Sequence, residues 1–378
     1  MAVMGSLLHD LLFDYTLRTV AIGSAALGIV AGVLGAFAVL RRQSLLGDAI
    51  AHTALPGIAL AYLVVGTRSM VSLMTGAAVA GWTGAALVTA IVRSSRVKYD
   101  SALGIVLSVF FGIGLVLLTF IQRMPNANKA GLDTFLFGQA SALTGNDVLT
   151  LSVTGGVMLL VVGFLFKETA VLCFDPDFGR AAGLRLDRLD IVLTGMLVLA
   201  IVLGLQTVGV VLMSALVVAP AAAARQWTNR LGAMVILSGL FGAIAGVGGT
   251  LVSSSATQVP TGPAIVLIAG VITIISLLAA PARGVIWSWA QRYRRRKALQ
   301  LETVLLNLYE LSQQHPGTQH AHPVSVLQSM TTQPESVLGS LRELRDRGWA
   351  TVDENGLWIL TEQGVARARY LTGERRVH

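Results

Sequence analysis

The sequence predicts an all-α polytopic membrane bundle followed by a small soluble α+β domain, and three observations predict it. Hydrophobic residues make up 54% of the 378 and charged residues 13%, against roughly 25% charged in an ordinary soluble domain. Mean hydropathy is +0.71. The shortage of charge is also uneven: between Thr16 and Ala282 charges fall in short clusters between long apolar runs, whereas the chain after Trp289 reads like a soluble protein. That length accommodates one large bundle (1–284), a basic linker (285–297) and one small domain (298–378).

A transmembrane helix needs about 20 mostly apolar residues. Runs near 17–40, 48–66, 70–92, 102–121, 148–167, 189–205, 207–224, 231–252 and 262–280 meet that demand, giving about nine spans, the sixth and seventh separated only by a weak break near Gln206. Small residues recur at spacings of three and four, as in Gly76, Ala77, Gly81, Gly84 and Ala85, and in Gly239, Gly242, Gly246 and Gly249. Such spacing lets helix backbones approach closely in lipid, so packing accounts for nearly all of them.

Orientation follows from the bias of Lys and Arg toward cytoplasmic connections. Alternate connections carry Arg41 and Arg42; Arg93, Arg96 and Lys98; Lys167, Arg180, Arg185 and Arg188; Arg225 and Arg230; then Arg283 and the basic run 292–297. The opposite side holds Arg68, Arg123 and Lys129, with Arg18 near the start of the first run. The C-terminus is therefore expected in the cytoplasm and, with nine spans, the N-terminus outside. The N-terminus has no basic segment and carries Asp10 and Asp14 before the first long run, so no cleavable signal peptide is expected.

Two connections look structured. Within 124–147, residues 134–138 are too apolar for a free loop and predict a re-entrant or interfacial segment packed on the bundle. On the cytoplasmic side 173–188 reads as a short helix, with Asp175 as N-cap, Pro176 at the first helical position and Gly183 at its end. Trp287 and Trp289 suit the headgroup level, and the basic residues after them suit anionic lipid. Beyond them, Leu301, Val304, Leu305, Leu308 and Leu311 mark a helix over 298–314. Short helices near 323–330 and 334–347, two strands around Glu354-Asn355-Gly356 and a helix from Thr361 follow. That order is the order of a winged-helix domain.

The net charge of +8 does not point to nucleic acid, because much of the excess flanks apolar runs. Cys173 is the only cysteine, which excludes a disulfide framework and a thiolate metal cluster. Ionisable residues inside apolar spans are costly and usually functional, and few are present. Asp48 and His52 stand four apart in the second run, on one helical face, and an Asp and a His so placed can ligate one divalent cation. Pro56, one turn on, lacks an N–H and leaves the His52 carbonyl without its helical partner, which predicts a kink and one more oxygen toward a cavity. The plainer alternative is that Asp48 caps the helix and His52 bonds a neighbour. Two ligands are an incomplete shell; two paired subunits would supply two Asp and two His. No G-x-x-x-x-G-K-[ST] loop is present, so any use of ATP requires a separate subunit.

Residues 41–57, RRQSLLGDAIAHTALPG, resemble the hallmark segment of permeases from the zinc/manganese/iron ABC importer family. Similar segments follow in order: 131–138 (GLDTFLFG), 174–184 (FDPDFGRAAGL), 206–212 (QTVGVVL) through Pro220, and 260–263 (PTGP). The resemblance covers most of 17–282. It implies a non-enzymatic transport subunit of the bacterial inner membrane, paired with a second permease, supplied by an extracytoplasmic metal-binding protein and driven by two ATPase subunits. It further implies that Asp48 and His52 line the metal path, and that Phe174, Asp175, Pro176, Asp177, Phe178, Gly179, Arg180, Ala181, Ala182 and Gly183 form the coupling helix that docks on the ATPase. No cofactor is expected to stay bound; Mn²⁺, Zn²⁺ or Fe²⁺ is cargo.

The tail departs from the plain family pattern and is similar to the winged helix of diphtheria-toxin-repressor-like metalloregulators. Its charge argues against DNA: residues 298–378 hold seven Arg, no Lys and nine Asp or Glu, where phosphate binding requires positive charge. Residues 334–347, the recognition-helix position, begin with Glu335 and Ser336 next to Pro334. A regulatory or protein-contact role fits better. His315, His320 and His322 share one polar loop and offer a weak regulatory metal site, against the plainer reading as a surface loop. A membrane-tethered metal sensor and a gradient-driven secondary transporter are the alternatives to the importer.

Overall fold

The computed structural model describes residues 14–66, 70–124, 138, 143–205, 207–255, 259–281, 284–314, 321–331 and 333–375. The chain divides into two compact units, Met1–Gly284 and Val285–His378. In the first, α1 is Tyr15–Leu40, α2 Leu46–Val65, α3 Met70–Ser94, α4 Tyr99–Gln122 and α5 Gly145–Phe164. Short helices α6 (Phe166–Phe174) and α7 (Pro176–Ala181) precede α8 (Leu186–Leu205), α9 (Val210–Trp227), α10 (Leu231–Ser255) and α11 (Thr261–Ala279). Local chemistry starts several of them. The Thr16 and Leu17 amides donate to the Asp14 carboxylate at 2.7 and 3.2 Å, and Thr144 with Asp147 forms a capping box at α5.

Eight of the described helices are long and apolar enough to cross a membrane: α1 to α5, α8, α10 and α11. The expectation of nine is corrected at the seventh run, 207–224. Its helix, α9, has 18 residues and carries Arg225 and Gln226 in its last turn. Gly204 of α8 abuts both Leu27 of α1 and Met213 of α9, and a Cβ at Gly35 would overlap the Val217 carbonyl. So α9 starts level with the middle of α1 and runs toward that helix's C-terminal end, where Ala36, Ala221, Ala224 and Met234 pack together. It is a shorter element that begins inside the bundle. Gly138, the one described residue of the segment 134–138, lies against the backbone of Thr207–Gly209.

The buried core of this unit is built mainly from α1, α2, α8 and α9, and α1 packs closely along α10. A Cβ on Gly28 would overlap the Gly242 carbonyl, and one on Gly242 the Gly28 carbonyl; Gly32 faces Ser238 and Gly246 faces Ser24 in the same way. The Ser238 hydroxyl donates to the Gly32 carbonyl at 2.6 Å across the seam. Small residues also surround α2: Gly57 meets Gly76 of α3, Gly84 of α3 meets Thr53, and Gly114 of α4 meets Leu55 and Pro56.

The second unit begins with α12 (Val285–Gln313), followed by α13 (Val324–Ser329), a 3₁₀ turn (Pro334–Ser336), α14 (Val337–Asp346), β1 (Ala350–Val352), β2 (Trp358–Leu360) and α15 (Glu362–Arg375). The expected break between linker and first helix is absent: no Gly or Pro interrupts 285–313, and α12 is continuous. The strands pair antiparallel, Ala350 with Leu360 and Val352 with Trp358, around a turn in which Gly356 takes φ +75°. His322 exchanges backbone hydrogen bonds with Trp358 at 3.0 and 2.9 Å as an isolated bridge. Leu305, Leu308, Leu327, Val337, Leu341 and Leu344 centre the core.

Candidate metal site and docking segment

The α1–α2 junction turns tightly at Arg42, whose φ is +58°, and α2 begins without a side-chain cap. Asp48 follows in the first turn and His52 one turn later. The His52 Nε2 lies 3.4 Å from the Asp48 Oδ1, longer than the roughly 2.8 Å of a tight charge-assisted hydrogen bond. The expected i, i+4 pair is thus assembled on one face. The Asp48 side chain is 35% exposed and that of His52 14%. The imidazole sits edge-on to Phe111 of α4, ring centroids 4.7 Å apart. Its Nδ1 is buried without a hydrogen-bond partner. Ser214 of α9 directs its hydroxyl to the same carboxylate.

Depth follows from packing. Ile50, between the two residues, lies against Gly81, midway along α3. Pro56 is inside α2, so the His52 carbonyl has no N–H four residues on, and the missing side chain at Gly114 admits α4 there. A carboxylate and an imidazole together suit Mn²⁺, Zn²⁺ and Fe²⁺ alike. Among the described residues there is no group of three or more His, Cys, Asp or Glu, so one chain supplies a partial ligand set. Sequence reading missed Ser214 and Phe111. Ser214 left a faint signal as a hydroxyl in an apolar run; Phe111, one aromatic among many apolar residues of α4, left none.

The segment 174–183 folds as its residues predict. The Phe178 amide donates to the Asp175 carboxylate at 3.0 Å, with Pro176 opening α7. Gly183 takes φ +82°, and the Leu184 amide returns to the Gly179 carbonyl at 3.0 Å. Gly179 is buried, and a Cβ there would press on Val171 and Leu186. Phe174 and Phe178 are 63% and 62% exposed, Ala181, Ala182 and Gly183 are exposed, and Asp177 pairs with Arg180 at 3.0 Å. The short, firmly capped element thus presents two exposed aromatics. Of the three tail histidines, His315 and His320 lie outside the described residues; His322 is half-buried with its backbone in the bridge to Trp358.

Residues 13–280 match the ABC 3 transport family. The manganese transport system membrane protein MntC of Bacillus subtilis strain 168 is 40% identical over 356 residues, 94% of this chain and 81% of that one. The zinc transport system membrane protein TroC of Treponema pallidum is 44% identical over 295 residues, 78% of this chain and 98% of its own length. The first alignment reaches into the C-terminal unit; the second is about as long as the membrane unit. Among solved structures, PsaBC from Streptococcus pneumoniae in complex with Fab superposes with a TM-score of 0.65 at 33% identity, over 74% of this chain and 97% of that one. The chain belongs to the ABC 3 transport family.

Proposed function

We propose that this chain is the permease subunit of an ATP-driven importer that moves Mn²⁺ or Zn²⁺, with Fe²⁺ also open, across a bacterial cytoplasmic membrane. The observation that carries the reading is the Asp48–His52 pair, level with the middle of α3 and with one imidazole nitrogen unpartnered. Two permeases facing each other would supply two carboxylates and two imidazoles, enough for a four-coordinate cation. Ser214 holds the Asp48 carboxylate, and Pro56 frees the His52 carbonyl as a further oxygen. ATP is hydrolysed by separate subunits that dock on Phe174 to Gly183, and the metal arrives from an extracytoplasmic binding protein.

The basic side is cytoplasmic in this reading. Arg41 beside Asp190, and Arg93 beside Asp187, fix the start of α8 at the face where α1 and α3 end. Packing of Ala221 and Ala224 with Ala36 carries α9 back to that face. The α8–α9 hairpin thus begins and ends on one side, and the other seven long helices put the N-terminus outside and the tail in the cytoplasm. The tail is a winged helix, with His322 in the place of the first strand, and it acts through protein contacts or metal status in preference to DNA.

The test is cellular uptake of radiolabelled Mn²⁺ and Zn²⁺ by wild type, Asp48→Ala and His52→Ala at matched expression. Loss of about tenfold or more in both variants is expected, in line with removing one charged ligand, with ATPase copurification intact. Undiminished uptake would reduce the pair to a cap and a packing histidine. A chain that copurifies with no ATPase would overturn the importer itself.

A further inference from the structure

A basic cavity of about 510 Å³ lies at the α1–α2 junction, walled by Arg41, Arg42, Arg93, Arg180, Asp187 and Asp190 among others. An apolar groove of about 350 Å³ runs between α3 and α8, walled by Trp82, Ala85, Ala86, Thr89, Ile191 and Gly195. Arg93 and Asp190 line both, so a charged cavity and an apolar groove adjoin at those two residues.

The charges around the cavity can be balanced one by one. Arg41 pairs with Asp190, Arg93 with Asp187 and Arg180 with Asp177. Arg42 is exposed, and its side chain has no ionic or hydrogen-bond partner among the described residues. Its backbone is held in the left-handed region at φ +58°, where a side chain other than glycine is disfavoured. One positive charge is therefore left over. Beside it, Gln43 lines the same cavity with its amide oxygen buried and unpartnered. A buried acceptor without a donor is costly; this one is closed off from the cavity that Gln43 helps to wall.

We propose that the cavity and the adjoining groove together bind one monoanionic glycerophospholipid, with phosphatidylglycerol as the probe. The phosphodiester neutralises Arg42 and shares the remaining donors of Arg93. One acyl chain lies along the groove over Trp82 and Ala86. Basic pockets between membrane helices recognise anionic headgroups in this way. The ligand would bridge the α1–α2 junction, the first turns of α8 and the docking segment at Arg180.

The experiment is native mass spectrometry and lipid titration on the delipidated full-length chain, and on the chain copurified with its ATPase, using phosphatidylglycerol, phosphatidylcholine and soluble glycerophosphoglycerol. Wild type is expected to bind one phosphatidylglycerol per chain in preference to the other two. Arg42→Gln removes the surplus charge; Ala86→Trp fills the groove. Both positions are exposed, so the variants keep the wild-type melting temperature without lipid, and each binds phosphatidylglycerol about tenfold more weakly, the loss of one charge-assisted contact. Equal affinity in the variants, or equal binding of phosphatidylcholine by wild type, would overturn the proposal. So would full affinity for the headgroup alone, which would mark a free-phosphate site. Exclusion of the lipid in the ATPase complex, or breakdown of chain dimers by Ala86→Trp, would hand the surface to a protein partner instead. Failure on any arm leaves the metal path untouched, because no metal enters the measurement.

Discussion

Arg41 ends α1 with its side chain 9% exposed and paired with Asp190, itself about one-third exposed. Removing one partner of such a pair strands the other charge, which costs more than the pair contributes. Asp190→Ala is therefore expected to destabilise the folded chain by about 3 kcal/mol, the low end for a broken buried pair, because Asp190 sees solvent. Arg41→Leu combined with Asp190→Leu is expected to recover most of that, as read by denaturant unfolding in detergent. Close by, burial pushes the Cys173 thiol up to about 11, with Arg41 pulling the other way. The thiol stays protonated at neutral pH. Its alkylation rate is expected to climb until about pH 11, while the unfolded chain levels off near the ordinary thiol value of about 8.5. An identical profile in both states would refute the buried placement. Asp48 and His52 were legible because an ionisable group stands out in an apolar run. The partners that pack on them were not, since a serine or phenylalanine of α9 or α4 gains meaning only when the helices are brought together.

The α1–α10 seam leaves no room for a side chain at Gly28 or Gly242. Gly28→Leu or Gly242→Leu must displace backbone, and overpacking costs about 1–3 kcal/mol or more. Loss of monodisperse protein on size exclusion is expected for both. Gly270→Leu, where open space surrounds the position, is expected to behave as wild type. The long apolar runs were legible as helices by length alone, and α7 by its cap and its glycine. What sequence could not supply was depth: 207–224 is apolar enough to suggest a span, but packing against Gly35 and Gly204 starts α9 inside the bundle. Likewise the basic composition of 285–297 marks a linker, although α12 runs through it as one helix.

The chain comprises a helical bundle and a tail with its own core. Within that tail Glu343 of α14 accepts from Lys297 of α12 at 2.8 Å and from Arg347 at 2.6 Å. Their charges lower the Glu343 carboxyl and raise the Lys297 ammonium. A lowered carboxyl stabilises the fold above its unfolded value near 4.5 and loses that contribution as pH falls through the lower folded value; the raised ammonium matters only at strongly alkaline pH. All three groups face solvent, so Glu343→Gln is expected to shift the tail's melting by no more than a degree or two at pH 7 and not at all at pH 2. A shift that persists at pH 2 would mean that packing, not charge, holds the two helices. The order of helices and the two-stranded hairpin of the tail was legible from helix lengths and a turn, whereas the His322–Trp358 bridge was not, being too short to leave a strand pattern. The α8–α9 hairpin has a different significance for biogenesis. In the proposed topology it enters and leaves by one face, so it is neutral to the chain's address in the membrane: its depth can vary without inverting either terminus.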